Sequence, residues 1–203
     1  MTQLAARGTA PTARSPLRPL IIGFHAVVVA VAGFVLWSMS YPGSDIWQVA
    51  LAAVAVLAVG VCWLAWLVIA AVTTRRLHWW LAITPAIGAL TVALLVADVP
   101  LKVRWAAVHG AFDAVVAGHP IPPAGSAPEP FTVPKRIGTY TIPRAEWVPG
   151  GAVFFEANGA GFMDDGGFAY LPGGPSAELD TGVFEGPRFV PLGGGWYSFT
   201  GSS

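Results

Sequence analysis

Two long uncharged apolar runs, separated by a short basic turn, restrict what this chain can fold into more than any other feature. Ile46 to Val72 carries no charge, and Leu77 to Ala97 carries none unless His78 is protonated. Each run exceeds the roughly 18 residues that mark a membrane-spanning helix. Between them lies Thr73-Thr74-Arg75-Arg76-Leu77-His78. An arginine near the bilayer centre costs roughly 2.5 to 3.5 kcal/mol on an insertion scale, so Arg75 and Arg76 belong in a headgroup region. Positive charge beside spans stays on the cytoplasmic side, so Arg75 and Arg76 set the topology and both helices run outward from this turn. Trp79 and Trp80 agree, because indole rings favour the interface between membrane and water.

Of the 203 residues 55% are hydrophobic and 11% charged, against about 25% charged in soluble domains. That balance predicts a multi-pass protein of the plasma membrane whose first partner is the lipid bilayer. The formal net charge is zero, but the charges are sorted: all 11 acids lie at Asp45 or beyond, whereas Arg7, Arg14 and Arg18 precede every acid. Residues 1–19 are expected to be a disordered cytoplasmic tail. The first apolar run, Leu20 to Tyr41, then crosses outward, about 33 Å long at 1.5 Å per residue. A cleaved signal peptide is the competing reading, with small residues at Ser38-Met39-Ser40, although the run is longer than the usual 7 to 15 residues, roughly, of such a segment. The later topology is the same either way.

The three-helix region thus covers residues 20–98, with spans near 20–41, 46–72 and 77–97. The second would be about 40 Å long and has to tilt or project. Pro85 predicts a kink in the third. Ala89, Ala93 and Ala97 form a small-residue strip that Ala26 and Ala30 can match on the first helix.

Past Asp98 the pattern changes. Leu101, Trp105, Val108, Phe112 and Val115 recur at steps of four and three, so residues 99–118 read as an amphipathic juxtamembrane helix, too charged for a fourth span. Asp98 is placed to cap its start and to pair with Lys102, Pro100 suits its first turn, and Gly118 ahead of Pro120 suits its end. The apolar stripe has to be covered by lipid or by the domain that follows. Trp105 and Phe112 are the candidate contacts with a partner or the membrane.

Residues 119–203 hold 16 Gly and 12 Pro, a content that elsewhere signals disorder, but also 13 aromatics, far more than a disordered chain carries. We read 119–130 as a Pro-rich linker and 131–203 as a small extracytoplasmic all-β domain rich in Gly, Pro and aromatic residues. Its expected strands are Ile137 to Ile142, Ala152 to Ala157, Phe162-Met163, Phe168 to Leu171, Arg188 to Leu192 and Trp196 to Thr200. Asn158-Gly159 predicts a type I′ hairpin turn, and Asp164-Asp165-Gly166-Gly167 a second turn. The stretches Gly151-Ala152-Val153-Phe154-Phe155, Gly166-Gly167-Phe168-Ala169-Tyr170-Leu171-Pro172 and Gly195-Trp196-Tyr197-Ser198-Phe199-Thr200 resemble the tail of an uncharacterised group of small actinobacterial multi-pass membrane proteins. The resemblance covers helices and tail together and implies no activity.

Chemical signatures are few. None of the four histidines lies between Ile121 and Ser203, and no phosphate-cradling loop, His-Glu-x-x-His or paired-cysteine motif is present. The single Cys62 permits no intrachain disulfide and reads as a small packing residue. Asp164 and Asp165, with Glu156, Asn158, Glu178 and Asp180 nearby, supply oxygen ligands of the kind Ca²⁺ takes, but their spacing matches no calcium loop and a solvated turn is the simpler reading. His25 is an ionisable group inside the first helix. No enzyme, cofactor, metal or nucleic-acid partner is expected. The sequence points to a non-enzymatic accessory or interaction protein whose external β-rich domain contacts an envelope or membrane-protein partner. The alternative is a small oligomeric transport or channel subunit with that domain as an external cap, and truncation at Gly118 would separate the two.

Overall fold

The computed structural model describes residues 17–43, 45–73, 78–123, 125–159, 165–176, 179 and 185–202. Helices α1 (Leu17–Ser38) and α2 (Ile46–Thr73), and α3 (Ile83–Val96) taken together with the 3-10 turn at Trp79–Ala82 that leads into it, are each long and apolar enough to cross a membrane. Helix α1 is central and packs on both α2 and α3. Pro85 does not stand in the interior of α3, where its ring would force a kink. It stands in the first turn, where backbone N–H groups have no intrahelical partner in any case, and the change of geometry falls before it, in the 3-10 turn. The Leu81 carbonyl, four residues back, is one a proline cannot bond, and Trp63 Nε1 of α2 donates to it at 2.9 Å. The expected alanine strip does not pack: Ala26, Ala30, Ala89, Ala93 and Ala97 are all exposed, as is Cys62.

Helix α4 (Val99–Val116) follows an elbow at Asp98, whose φ of 53° is left-handed. The Asp98 side chain caps nothing. Nor does it pair with Lys102 among the described residues: Lys102 Nζ donates instead to the Ala97 carbonyl at 2.9 Å, capping the end of α3. The predicted stripe is nearly the observed one. Trp105, Val108, Phe112 and Val116 are buried, with Leu101 and Val115 partly so.

Among the described residues the remaining chain forms a six-stranded antiparallel sheet in the order β1-β4-β5-β6-β8-β7 and a separate two-stranded hairpin, β2-β3. The strands are β1 (Glu129–Pro130), β2 (Arg136–Ile137), β3 (Tyr140–Thr141), β4 (Arg144–Val148), β5 (Gly151–Phe155), β6 (Asp165–Tyr170), β7 (Glu185–Gly193) and β8 (Trp196–Ser202). Alternation sorts the side chains onto two faces. Ala152, Phe154, Phe168 and Trp196 point toward α4, and Val153, Phe155, Ala169 and Phe199 point the other way, where Leu171 and Leu179 cover them.

Several expected strands shift. Ile137 to Ile142 is not one strand but β2 and β3 folded about Gly138, which has φ 58°. The Asn158-Gly159 pair is not a type I′ turn, since neither residue has positive φ. Asn158 N instead donates to Glu156 Oε2 at 2.6 Å, and the expected return strand Phe162-Met163 lies outside the described residues, as does Asp164. Asp165-Gly166-Gly167 is strand β6 rather than a turn. A Cβ on Gly167 would lie 2.0 Å from the Phe154 carbonyl oxygen and one on Gly166 2.1 Å from that of Gly159, so these glycines serve close backbone approach. Two strands were not foreseen: β4, and β1 inside the proline-rich linker.

Candidate functional site

Arg75 and Arg76, expected to set the topology, lie outside the described residues. Trp105 and Phe112, expected to meet a partner or the membrane, are 5% and 0% exposed. Trp105 stacks on Phe168 with ring centroids 4.7 Å apart, and Phe112 meets Phe154 edge-on at 5.4 Å. The stripe of α4 is therefore covered by the domain's own apolar residues. A truncation at Gly118 would strip that cover, so a cut that separates helices from domain belongs at Asp98.

What α4 leaves outside the core forms two polar constructions. The first is a joint to the helical region. The Arg104 guanidinium lies over the rings of Tyr41, at 3.9 Å, and Tyr140, at 4.5 Å. It donates to Ser40 Oγ at 2.9 Å, to Thr139 Oγ1 at 3.0 Å and to the Thr139 carbonyl at 2.9 Å. Tyr140 Oη donates to the Ser40 carbonyl at 3.1 Å. Burial pushes the Tyr140 phenol well above its ordinary value, against the pull of the adjacent Arg104 charge, so the hydroxyl stays a donor. One guanidinium thus ties the end of α1, the helix α4 and the β2-β3 hairpin together, using the flat fork that lysine lacks.

The second is a cleft of about 460 Å³ between α4 and the turn joining β7 to β8. Lys102, Ala106, His109 and Asp113 line it from one face of α4, at steps of four, three and four. Leu192, Gly193 and Gly194 line it from the hairpin. Gly193, Gly194 and Gly195 have φ of 100°, 62° and 82°, a left-handed run open only to glycine at low cost. Trp196 Nε1 donates to Asp113 Oδ1 at 2.8 Å, which fixes the carboxylate at the cleft's end. An ammonium, an imidazole and an oriented carboxylate along about 16 Å of helix can hold a polar chain by hydrogen bonds and charge, with Leu192 beneath it. Lys102, His109 and Asp113 fall on one face of α4 by their spacing alone. The step of their spacing was visible, but the wall opposite them was not.

The remaining candidates stay apart. Asp165 pairs with Arg144 at 3.0 Å. Glu156 is 3% exposed and accepts from Thr141 N, Asn158 N and Asn158 Nδ2, while Glu178 and Asp180 lie outside the described residues. Among the described residues no three His, Cys, Asp or Glu side chains gather as a metal site would need. His25 has Nδ1 2.8 Å from the Ile21 carbonyl and Nε2 3.3 Å from that of Trp80, a local tie between α1 and the 3-10 turn. No protein-family model, no curated protein and no solved structure matches this chain.

Proposed function

We propose that this chain is a non-enzymatic interaction protein of the plasma membrane, with its N-terminus cytoplasmic and its β domain extracytoplasmic, and that the cleft between α4 and the β7-β8 turn receives an envelope partner. The observation that carries this reading is the threefold use of α4. One face is the core of the domain, Arg104 locks it to the end of α1, and a third face lines the cleft. A partner held there stands at a fixed height above the bilayer. A rigid mount of this kind limits the entropy lost when the partner binds.

Two experiments test the proposal. A photo-crosslinking residue at Ala106, inside the cleft, should capture a discrete adduct in native membranes, while the same residue at Ala111 on another face of α4 should not. Equal capture at both positions would end the claim for the cleft. Impermeant thiol labelling of single cysteines at positions 44, 74 and 176, in a Cys62→Ala background, should mark 44 and 176 in intact cells and spare 74. Labelling at 74 would invert the topology.

A further inference from the structure

Two cavities share Leu95. The first, about 340 Å³, is an apolar groove among the helices, with Val28, Val31 and Val35 of α1, Gly60 of α2 and Gly88 of α3 on its walls. The second, about 360 Å³, lies at the domain-side ends of the helices, bounded by Met39, Leu95, Asp98 and Arg188. We propose that together they hold one phospholipid with an amine-bearing headgroup, an acyl chain in the groove, its phosphate at Arg188 and its ammonium at Asp98. The inference rests on the reading that α1, α2 and α3 cross a bilayer and is independent of the partner cleft.

Depth supports the pairing of the two cavities. The groove runs along α3 from Thr84 to Leu95, about 16 Å at 1.5 Å per residue, or about half of a hydrocarbon core of about 30 Å. That is the reach of one leaflet. Leu95 forms part of both walls, which sets the apolar groove next to the more polar cavity at the level where headgroups lie.

Charge selects the headgroup. Among the described residues the Arg188 guanidinium and the Asp98 carboxylate have no ion-pair partner, both ion pairs there belonging to Arg144. A guanidinium offers paired N–H groups that match phosphate oxygens, and a carboxylate at the same cavity favours a headgroup that also carries a cation. The backbone adds a second reason. Asp98 is the one non-glycine residue with positive φ among those described, and its side chain caps no helix. Glycine would fit that elbow with less strain, so the carboxylate at the cavity is what the aspartate contributes.

The test is native mass spectrometry of the full chain in a mild detergent, titrated with dioleoylphosphatidylethanolamine, dioleoylphosphatidylglycerol and dioleoylglycerol. The ethanolamine lipid should be retained best, about tenfold over dioleoylglycerol. Arg188→Gln should weaken both phospholipids about tenfold, and Asp98→Asn should remove the preference for the ethanolamine lipid while leaving the glycerol lipid bound. Gly88→Leu should weaken all three, because a Cβ there meets nothing within 4 Å and the new side chain enters the groove without a clash. Dioleoylglycerol bound as tightly as the phospholipids, or phospholipid retention unchanged in Arg188→Gln, would overturn the headgroup site. A dimer that Gly88→Leu dissociates would overturn the groove, by assigning it to a second copy of the chain.

Discussion

In the helical region Leu57, Val72 and Val96 stand mostly exposed, and only 6% of each apolar window is buried within the chain. In the β domain and α4, Phe112, Phe154 and Phe168 are wholly enclosed, each ring against other aromatic rings. The same residue types are thus left outside in three helices long and apolar enough to cross a membrane, and enclosed in the domain. Lipid tails are as apolar as leucine, so spans gain nothing by hiding side chains and associate through close packing and a few hydrogen bonds. A domain in water must close its apolar surface on itself, and here it does so with aromatic residues between glycine-permitted strands.

The largest effect that separates the regions is expected from core truncation. Phe112→Ala should destabilise the domain by about 3 to 5 kcal/mol, read as faster proteolysis between residues 119 and 202 and a lower melting transition of the full chain in detergent. Leu57→Ala on α2 should leave both unchanged. Equal effects would show that the helices carry a core of their own.

The joint comes next. Arg104→Gln removes a charged fork that bonds Ser40 and Thr139 and stacks on Tyr41 and Tyr140, a loss of about 2 kcal/mol. The domain should stay folded while its orientation loosens. Spin labels at Val54 on α2 and Lys135 in the domain should give a broader distance distribution than in the unaltered chain. An unchanged width would mean that the elbow at Asp98 alone fixes the two regions.

These regions also differ in how far the sequence reveals them. The three long apolar helices were legible because length and lack of charge are local properties, and the stripe of α4 because its step of four and three is local too. Strand β4 carried the right signal, with buried Ala145 and Trp147 alternating with Arg144 and Glu146, but prolines at 143 and 149 make that stretch read as a turn. The cleft and the joint were not legible at all. Asp113 acquires its role from Trp196, and Arg104 from Ser40 and Thr139, residues brought near only by the order of the sheet and the path of α1.

A smaller effect probes what holds the apolar helices together. Trp63→Phe deletes the donor to the Leu81 carbonyl and should cost about 0.6 to 1.5 kcal/mol of helical stability. Pro85→Ala restores a backbone N–H four residues after Leu81, so Trp63→Phe should cost measurably less in that background. Additive costs, measured by unfolding in mixed micelles, would show that the indole bond is not a replacement for the one proline removes.

The smallest expected effect uses Glu156, the one acid enclosed among the described residues of the domain. Glu156 follows β5, and burial raises its pKa above the ordinary value of 4.5, while its bonds from Asn158 and Thr141 and the nearby Arg104 charge pull the other way. The net direction is upward, so between 4.5 and that raised value the folded chain binds a proton that the unfolded chain has released. Stability from this group is therefore fully present below the ordinary value and is lost as pH rises through the raised one. Acidification from neutral pH into that window should lift the melting temperature of the domain. Glu156→Gln keeps an acceptor for Asn158 N and removes the titration, so its melting temperature should rise less over the same interval. An identical slope in the variant would mean that the enclosed sheet does not penalise this charge, and that the contrast between the closed domain and the exposed apolar helices stops at apolar packing.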